Sequence, residues 1–169
     1  YLRAGALAAR SPVMNAVRRF ATAGGPVVGI CNGFQLLTES GLLPGALLMN
    51  DHLRFRWDIA GIRVERTDTV VTSHYRAGQI LRLPIAHKEG CFYANSDELD
   101  RLEASGAVAF RYVDAGGRPL ALANPNGSLH AIAGVANPTG HVVGLMPHPE
   151  RRIEEILGGL NNRYLGGVI

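Results

Sequence analysis

The order of elements along this chain predicts an α/β fold, and three observations carry the prediction. A capped helical pattern from Ser11 gives way to an apolar run at residues 26–30 and then to a second helical stretch. The middle of the chain alternates apolar and polar residues in strand rhythm, led by Phe55, Trp57 and Ile59. Two apolar runs then flank Asn137-Pro138-Thr139-Gly140, as in a hairpin. The 169 residues amount to roughly one domain at ~150 per domain, and no linker divides them. Residues 1–169 are therefore read as a single domain. Hydrophobic residues at 47% and charged residues at 18% exclude wholesale disorder.

Taken in order, Ser11-Pro12 pairs an N-cap with proline at the first helical position. Val13, Met14, Val17, Phe20 and Ala21 recur at helical spacing until Gly24-Gly25 ends the helix. Residues 26–30, PVVGI, suit a buried strand. Residues 32–40 read as the next helix, closed by Gly41. After Gly61 the alternation resumes at Ile62 and Val64 in a shifted phase, which predicts a bulge. Residues 79–85 form another strand. Ser96, with Asp97 and Glu98 behind it, opens a short helix that ends near Gly106. Strands at 107–113, 131–136 and 141–146, a Gly/Asn/Pro-rich loop at 115–128 and a helix at 151–157 complete the reading.

Composition narrows the function. The formal charge is only +3, and the basic residues are scattered, with Arg18-Arg19 and Arg151-Arg152 the tightest pairs and no interleaved aromatics. Nucleic-acid binding is not expected on that footprint. Lys88 is the only lysine. Two cysteines without CxxC spacing argue for a reduced, cytoplasmic compartment. No apolar run is long enough to suggest a membrane span.

The strongest chemical signal is Gly29-Ile30-Cys31-Asn32-Gly33, the form of a nucleophile elbow with Cys in place of Ser. Such a residue sits on a tight strand-to-helix turn. Small residues on either side let strand and helix approach. The helix N-terminus is expected to lower the thiol pKa, and the Asn32 N–H to face a developing oxyanion. A buried, inert Cys at a strand end has the same local appearance. A thiol nucleophile needs an oriented base, and His148-Pro149-Glu150 supplies one. Pro149 favours an extended His148. Glu150 can then accept from Nδ1–H and leave Nε2 for Cys31. His87, in the polar loop Ala86-His87-Lys88-Glu89-Gly90, and His74, after Thr72-Ser73, are secondary candidates. His52, His130 and His141 read as surface or turn residues, and Cys91 as structural. No histidine pair has zinc-helix spacing and no phosphate-binding loop occurs, so neither a metal nor an intrinsic ATP site is expected.

The segments GICNGFQLLTESGLLPGALLMN (residues 29–50), IAHKEG (85–90), FRYVD (110–114), NPNGS (124–128) and MPHPER (146–151) resemble class I, triad-type glutamine amidotransferases. Within them they are most similar to the glutaminase subunits of phosphoribosylformylglycinamidine synthase, an assembly of purine biosynthesis. The resemblance implies an open, doubly wound, flavodoxin-like and mostly parallel sheet. It makes Cys31 the nucleophile on glutamine, His148 the proton shuttle, Glu150 its orienting partner and Asn32 an oxyanion donor. It places Gly33, Gln35 and the segment Ser73, His74, Tyr75 at the glutamine. His87 and Glu89 fall in a loop expected to meet partner or substrate. It implies no cofactor in this chain: ATP and magnesium belong to a separate large synthase subunit, joined by a small bridging subunit.

Two departures stand out. The family's first strands and a loop that carries the second oxyanion donor have no counterpart before Tyr1, so the chain is expected to be N-terminally incomplete. Lys88 stands where the family usually has glycine, a concern if the position needs positive φ. Residues 160–169 match poorly. Two other classes stay open on sequence grounds. One is a different Cys-elbow α/β hydrolase, peptidase- or deglycase-like, that turns over no glutamine. The other is a catalytically inert fragment or binding subunit.

Overall fold

The computed structural model describes residues 8–152. Its elements are α1 (Pro12–Thr22), β1 (Val27–Ile30), α2 (Asn32–Glu39), β2 (Ala46–Leu48), β3 (Arg56–Val64), β4 (Ile80–His87), β5 (Cys91–Tyr93), α3 (Ser96–Ala104), β6 (Val108–Val113), β7 (Ile132–Ala136) and β8 (Val142–Leu145). The α/β reading holds, and the strand and helix positions agree within a few residues. The short β2–β5 ribbon was not foreseen. Three-residue strands carry too little periodicity to register.

Local signals explain several ends. The Ser11 side chain accepts from Met14 N, with Pro12 at the helix start. Met14 is buried, and Val17 and Ala21 lie half-buried on the same face. Val13 and Phe20 are exposed, so the apolar stripe is narrower than the sequence pattern. The cap of α3 is Asn95, one residue before the expected Ser96; its Oδ1 accepts from Glu98 N at 2.9 Å. The turn at 137–140 closes through Gly140 N to Asn137 O at 3.0 Å. The proposed helix at 151–157 lies mostly outside the described residues. Residues 149–151 form a single 3₁₀ turn.

The main sheet has the order β1-β8-β7-β6-β3-β4, with β2–β5 apart. Only β1–β8 is parallel; β8–β7, β7–β6, β6–β3 and β3–β4 are antiparallel. Among the described residues this corrects the expected mostly parallel sheet. A parallel neighbour needs a crossover of a dozen or more residues. Here the β7–β8 connection is a short turn, and only β1 and β8, far apart in sequence, run side by side. The bulge expected at Gly61 is also absent. β3 pairs residue by residue with β4 from Arg56↔His87 to Arg63↔Ile80. The change of phase marks a change of face: Trp57 is exposed while Ala60, Ile62 and Val64 are buried. Gly61 serves close approach instead, since a Cβ there would lie 2.5 Å from Val113 O.

Both faces of the central strands are covered. Along β7 and β8, Ala133, Ala136, Val143 and Leu145 join one cluster with Ile62, Leu81, Leu83, Phe110 and Tyr112. Ile132, Val135, Val142 and Met146 join the other with Phe34, Leu37, Phe92, Leu99 and Leu102. That two-sided burial is why these strands read as continuous apolar runs. α2 sits on the second face, with Phe34 stacked on Phe92 at 6.1 Å between centroids. Gly29 makes its approach possible, because a Cβ there would lie 2.6 Å from both Gly33 O and Leu37 Cδ1. Gly29→Ala is therefore expected to cost about 1–3 kcal/mol by overpacking. The loss should appear as a lower urea midpoint at unchanged slope.

Candidate active site

Parallel pairing of β1 and β8 brings their C-terminal ends to one edge of the sheet. Cys31 follows β1 directly, and its N–H donates to Leu145 O at 2.9 Å. His148 follows β8 by three residues and is anchored by its N–H to Pro84 O at 2.8 Å. Two residues 117 positions apart in sequence thus face one cavity of about 480 Å³. Its lining includes Cys31, Asn32, Gln35, His148, Arg151 and residues 86–89 at the end of β4.

Cys31 has φ 52 and ψ −105, a backbone conformation that L-residues rarely adopt. This is the tight turn expected of an elbow. Gly33, in contrast to Gly29, has no described neighbour within 4 Å of where a Cβ would stand, so nothing among the described residues requires it to be small. Burial pushes the Cys31 thiol above its ordinary value. The Asn32 N–H, directed at Sγ, and the Arg151 charge act the other way, while the Glu150 carboxylate adds to the rise. The expected lowering is thereby overturned: desolvation outweighs the Asn32 N–H and the Arg151 charge.

His148 is buried, and its Nδ1–H donates to Glu150 Oε1 at 2.6 Å. Residues 149–151 reach this pairing by a 3₁₀ turn rather than an extended stretch. A carboxylate can only accept, so Nδ1 carries a proton, and in the neutral ring the lone pair is on Nε2. Nε2 is buried and has no partner among the described residues. Arg151 Nε stands 3.5 Å from the same Oε1.

Gln35 is buried, but its Nε2 donates to Glu89 O at 2.7 Å, pinning the cavity wall. Glu89 and His87 lie in that wall. Lys88 is exposed and has no positive φ, so the substitution is free of the backbone strain a glycine position implies. Ser73, His74 and Tyr75 line no part of the cavity. Their loop lies against the β7–β8 turn, through Val70 N to Gly140 O at 3.0 Å and Arg66 Nη1 to Asn137 O at 2.7 Å. That turn is at the opposite end of the sheet from Cys31, and Tyr75 is buried in the core there. Residues 86–89 occupy the cavity side instead.

Sequence reasoning did not single out Arg151 or Phe55, which also line the cavity. The only signal for Arg151 was its place directly after His-Pro-Glu. His52 and His130 are exposed, and both cysteines are free, with Cys91 in β5 away from any elbow. Among the described residues no group of three or more His, Cys, Asp or Glu side chains is placed to hold a metal, and no helix is long and apolar enough to cross a membrane.

Comparison with known proteins shows the family of the chain. The model of the CobB/CobQ-like glutamine amidotransferase domain family matches residues 2–161. The chain belongs to this family. Phosphoribosylformylglycinamidine synthase subunit PurQ of Thermus thermophilus is 60% identical over 158 residues, spanning 94% of this chain and 69% of that protein. The PurQ subunit of Thermomicrobium roseum is also 60% identical, over 170 residues, spanning 100% and 72%. Among solved structures, PurLQS from Thermotoga maritima superposes with a TM-score of 0.83 at 39% identity, covering 100% of this chain and 72% of that one.

Proposed function

We propose that this chain is the glutaminase subunit of a phosphoribosylformylglycinamidine synthase, releasing ammonia from glutamine for purine biosynthesis. The observation that carries the chemistry is the convergence of an elbow cysteine and a carboxylate-held imidazole on one cavity. His148 Nε2 accepts the Cys31 proton as Sγ attacks the amide carbon of glutamine. The Asn32 N–H donates to the oxyanion that forms. His148 returns the proton to the departing nitrogen, ammonia leaves, and a thioester remains. Water, deprotonated by the same nitrogen, hydrolyses it to glutamate and regenerates the thiol. Glu150 holds the imidazole in the required tautomer throughout. Gly33 follows Asn32 in α2 without lining the cavity, and Gln35 acts through the wall it pins.

In this reading ammonia passes to a large synthase subunit that uses ATP and magnesium, with a small bridging subunit in the assembly, and this chain needs no cofactor of its own. PurLQS of Thermotoga maritima is the solved relative that motivates the partners. The doubly wound arrangement is likewise a proposal, supported by the parallel β1–β8 pair with α2 packed across it.

The test is intact mass after treatment with a glutamine-like electrophile, with and without excess glutamine. One adduct on Cys31, blocked by glutamine, is expected. An adduct on Cys91, or one on Cys31 that glutamine does not block, would sink the reading and favour a different thiol hydrolase.

A further inference from the structure

The NPNGS segment enters the sequence reading only as a mark of resemblance, yet it makes a dense set of polar contacts behind the Cys31 cavity. Asn126 is fully buried. Its Oδ1 accepts from Ser128 N at 3.1 Å and Ser128 Oγ at 2.7 Å. Its Nδ2 lies 2.8 Å from Gly90 O, 3.0 Å from His87 Nε2 and 3.4 Å from Tyr112 Oη. A backbone N–H can only donate and a carbonyl can only accept, so both ends of the amide are assigned by their partners. The two Nδ2 hydrogens go to the two nearest acceptors, Gly90 O and His87 Nε2. His87 Nε2 then carries the lone pair, and its ring proton sits on Nδ1.

The surroundings of His87 agree. Its Nε2–Cδ2 edge lies against Gly90, where a Cβ would stand 2.2 Å from Cδ2 and 2.5 Å from Nε2. The Nδ1 edge is therefore turned away from Gly90 and Asn126. Nδ1 is buried and has no partner among the described residues. His87 lines the cavity that Cys31 and His148 share. Asn50 braces the same segment, donating to His87 O at 3.0 Å and accepting from Gly90 N at 3.1 Å.

We propose that Asn126 is a positioning residue for the Cys31 cavity: it fixes His87 as a neutral imidazole protonated on Nδ1, so that the wall near His148 carries no charge. The inference rests on the reading of Cys31 and His148 as the amide-hydrolysing pair. Burial drives the His87 pKa down to about 4, and the charges of His148 and His52 add to the drop. Tyr112 faces Asn126 as a neutral hydroxyl, its pKa raised by burial. Lys88 and Glu89 flank His87 in the chain, and Asp51 lies against Gly127. An imidazolium at position 87 would oppose a second one at His148 and weaken the base that Cys31 needs.

The test uses the full chain assembled with its synthase. In the unaltered protein, ring-nitrogen NMR should show His87 protonated on Nδ1 and untitrated between about pH 5 and 8. Asn126→Asp presents a carboxylate to Nε2, moves the proton there and stabilises the charged ring. The ring at position 87 then gains its charge at higher pH, and the acidic limb of kcat/KM for glutamine should move up with it by one pH unit or more, about a tenfold loss at the acid end. Activity should recover toward the parent value on the alkaline side. A parent protein with the His87 proton on Nε2 overturns the proposal, whatever the variant does. So does a folded variant whose activity falls by one factor at every pH, since that is what lost packing alone would do. Absence of glutamine hydrolysis in the unaltered assembly would count against the amidotransferase reading, while the ring spectrum would still decide the tautomer.

Discussion

Cys31→Gly is expected to abolish glutamine hydrolysis while making the fold more stable. The first half follows from the nucleophile: a chain without Sγ forms no thioester, and losing a nucleophile of this kind costs on the order of 10⁶ in turnover. The second half follows from the backbone. Cys31 is held at φ 52, ψ −105. A non-glycine residue in such a region costs of order 1–3 kcal/mol, against about 0.5–1 kcal/mol of extra entropy that glycine loses on folding. The net gain should be about 1 kcal/mol. Cys31→Ala separates the two effects, because it is equally inactive but keeps a Cβ in the strained conformation. Urea denaturation of both variants, with ammonia release as the activity measure, makes the comparison. A glycine variant no more stable than the alanine variant would mean that the elbow stores no strain.

The elbow was legible because three local signals coincide within five residues: an apolar strand, a Cys at the turn, and Gly29 where a Cβ would strike Gly33 O. His148 and Glu150 were legible because their pairing is local, two residues apart. Long-range placement was not legible from local pattern. Ser73, His74 and Tyr75 follow a strand, as cavity residues often do, but antiparallel pairing of β3 sends that strand end toward the β7–β8 turn. Strand direction has no signature in alternation, which is the same for parallel and antiparallel neighbours. The thiol pKa was misjudged for a related reason: the helix terminus is visible in sequence, while the burial that outweighs it is a property of the assembled fold. Asn126 stood in a segment noted for its resemblance, and its chemical content emerged only when the fold brought His87, Gly90 and Ser128 around it.

Glu150→Gln is expected to lower kcat by about 10²–10⁴ with little change in KM, the range spanned by general acid–base catalysis. Glu150 Oε1 accepts from His148 Nδ1–H at 2.6 Å, which reserves Nε2 for the Cys31 proton. Burial raises the Cys31 thiol above its ordinary value, which favours transfer within each turnover over a proton moved in advance. The imidazolium it creates is stabilised by the Glu150 charge, and a neutral amide withdraws that support. If the amide instead turns its NH₂ toward His148, Nδ1 becomes an acceptor and the proton moves to Nε2, removing the base altogether. Arg151 makes the outcome readable. Its Nε stands 3.5 Å from Oε1, so the amide oxygen is favoured on that side and the tautomer is retained. The loss in Glu150→Gln should therefore fall toward the lower end of the range, and Glu150→Gln combined with Arg151→Ala toward the upper end. Initial rates of ammonia release across glutamine concentrations test this. A parent-like kcat in Glu150→Gln would remove the carboxylate from the mechanism. Equal losses in the single and double variants would show that Arg151 has no part in orienting the amide.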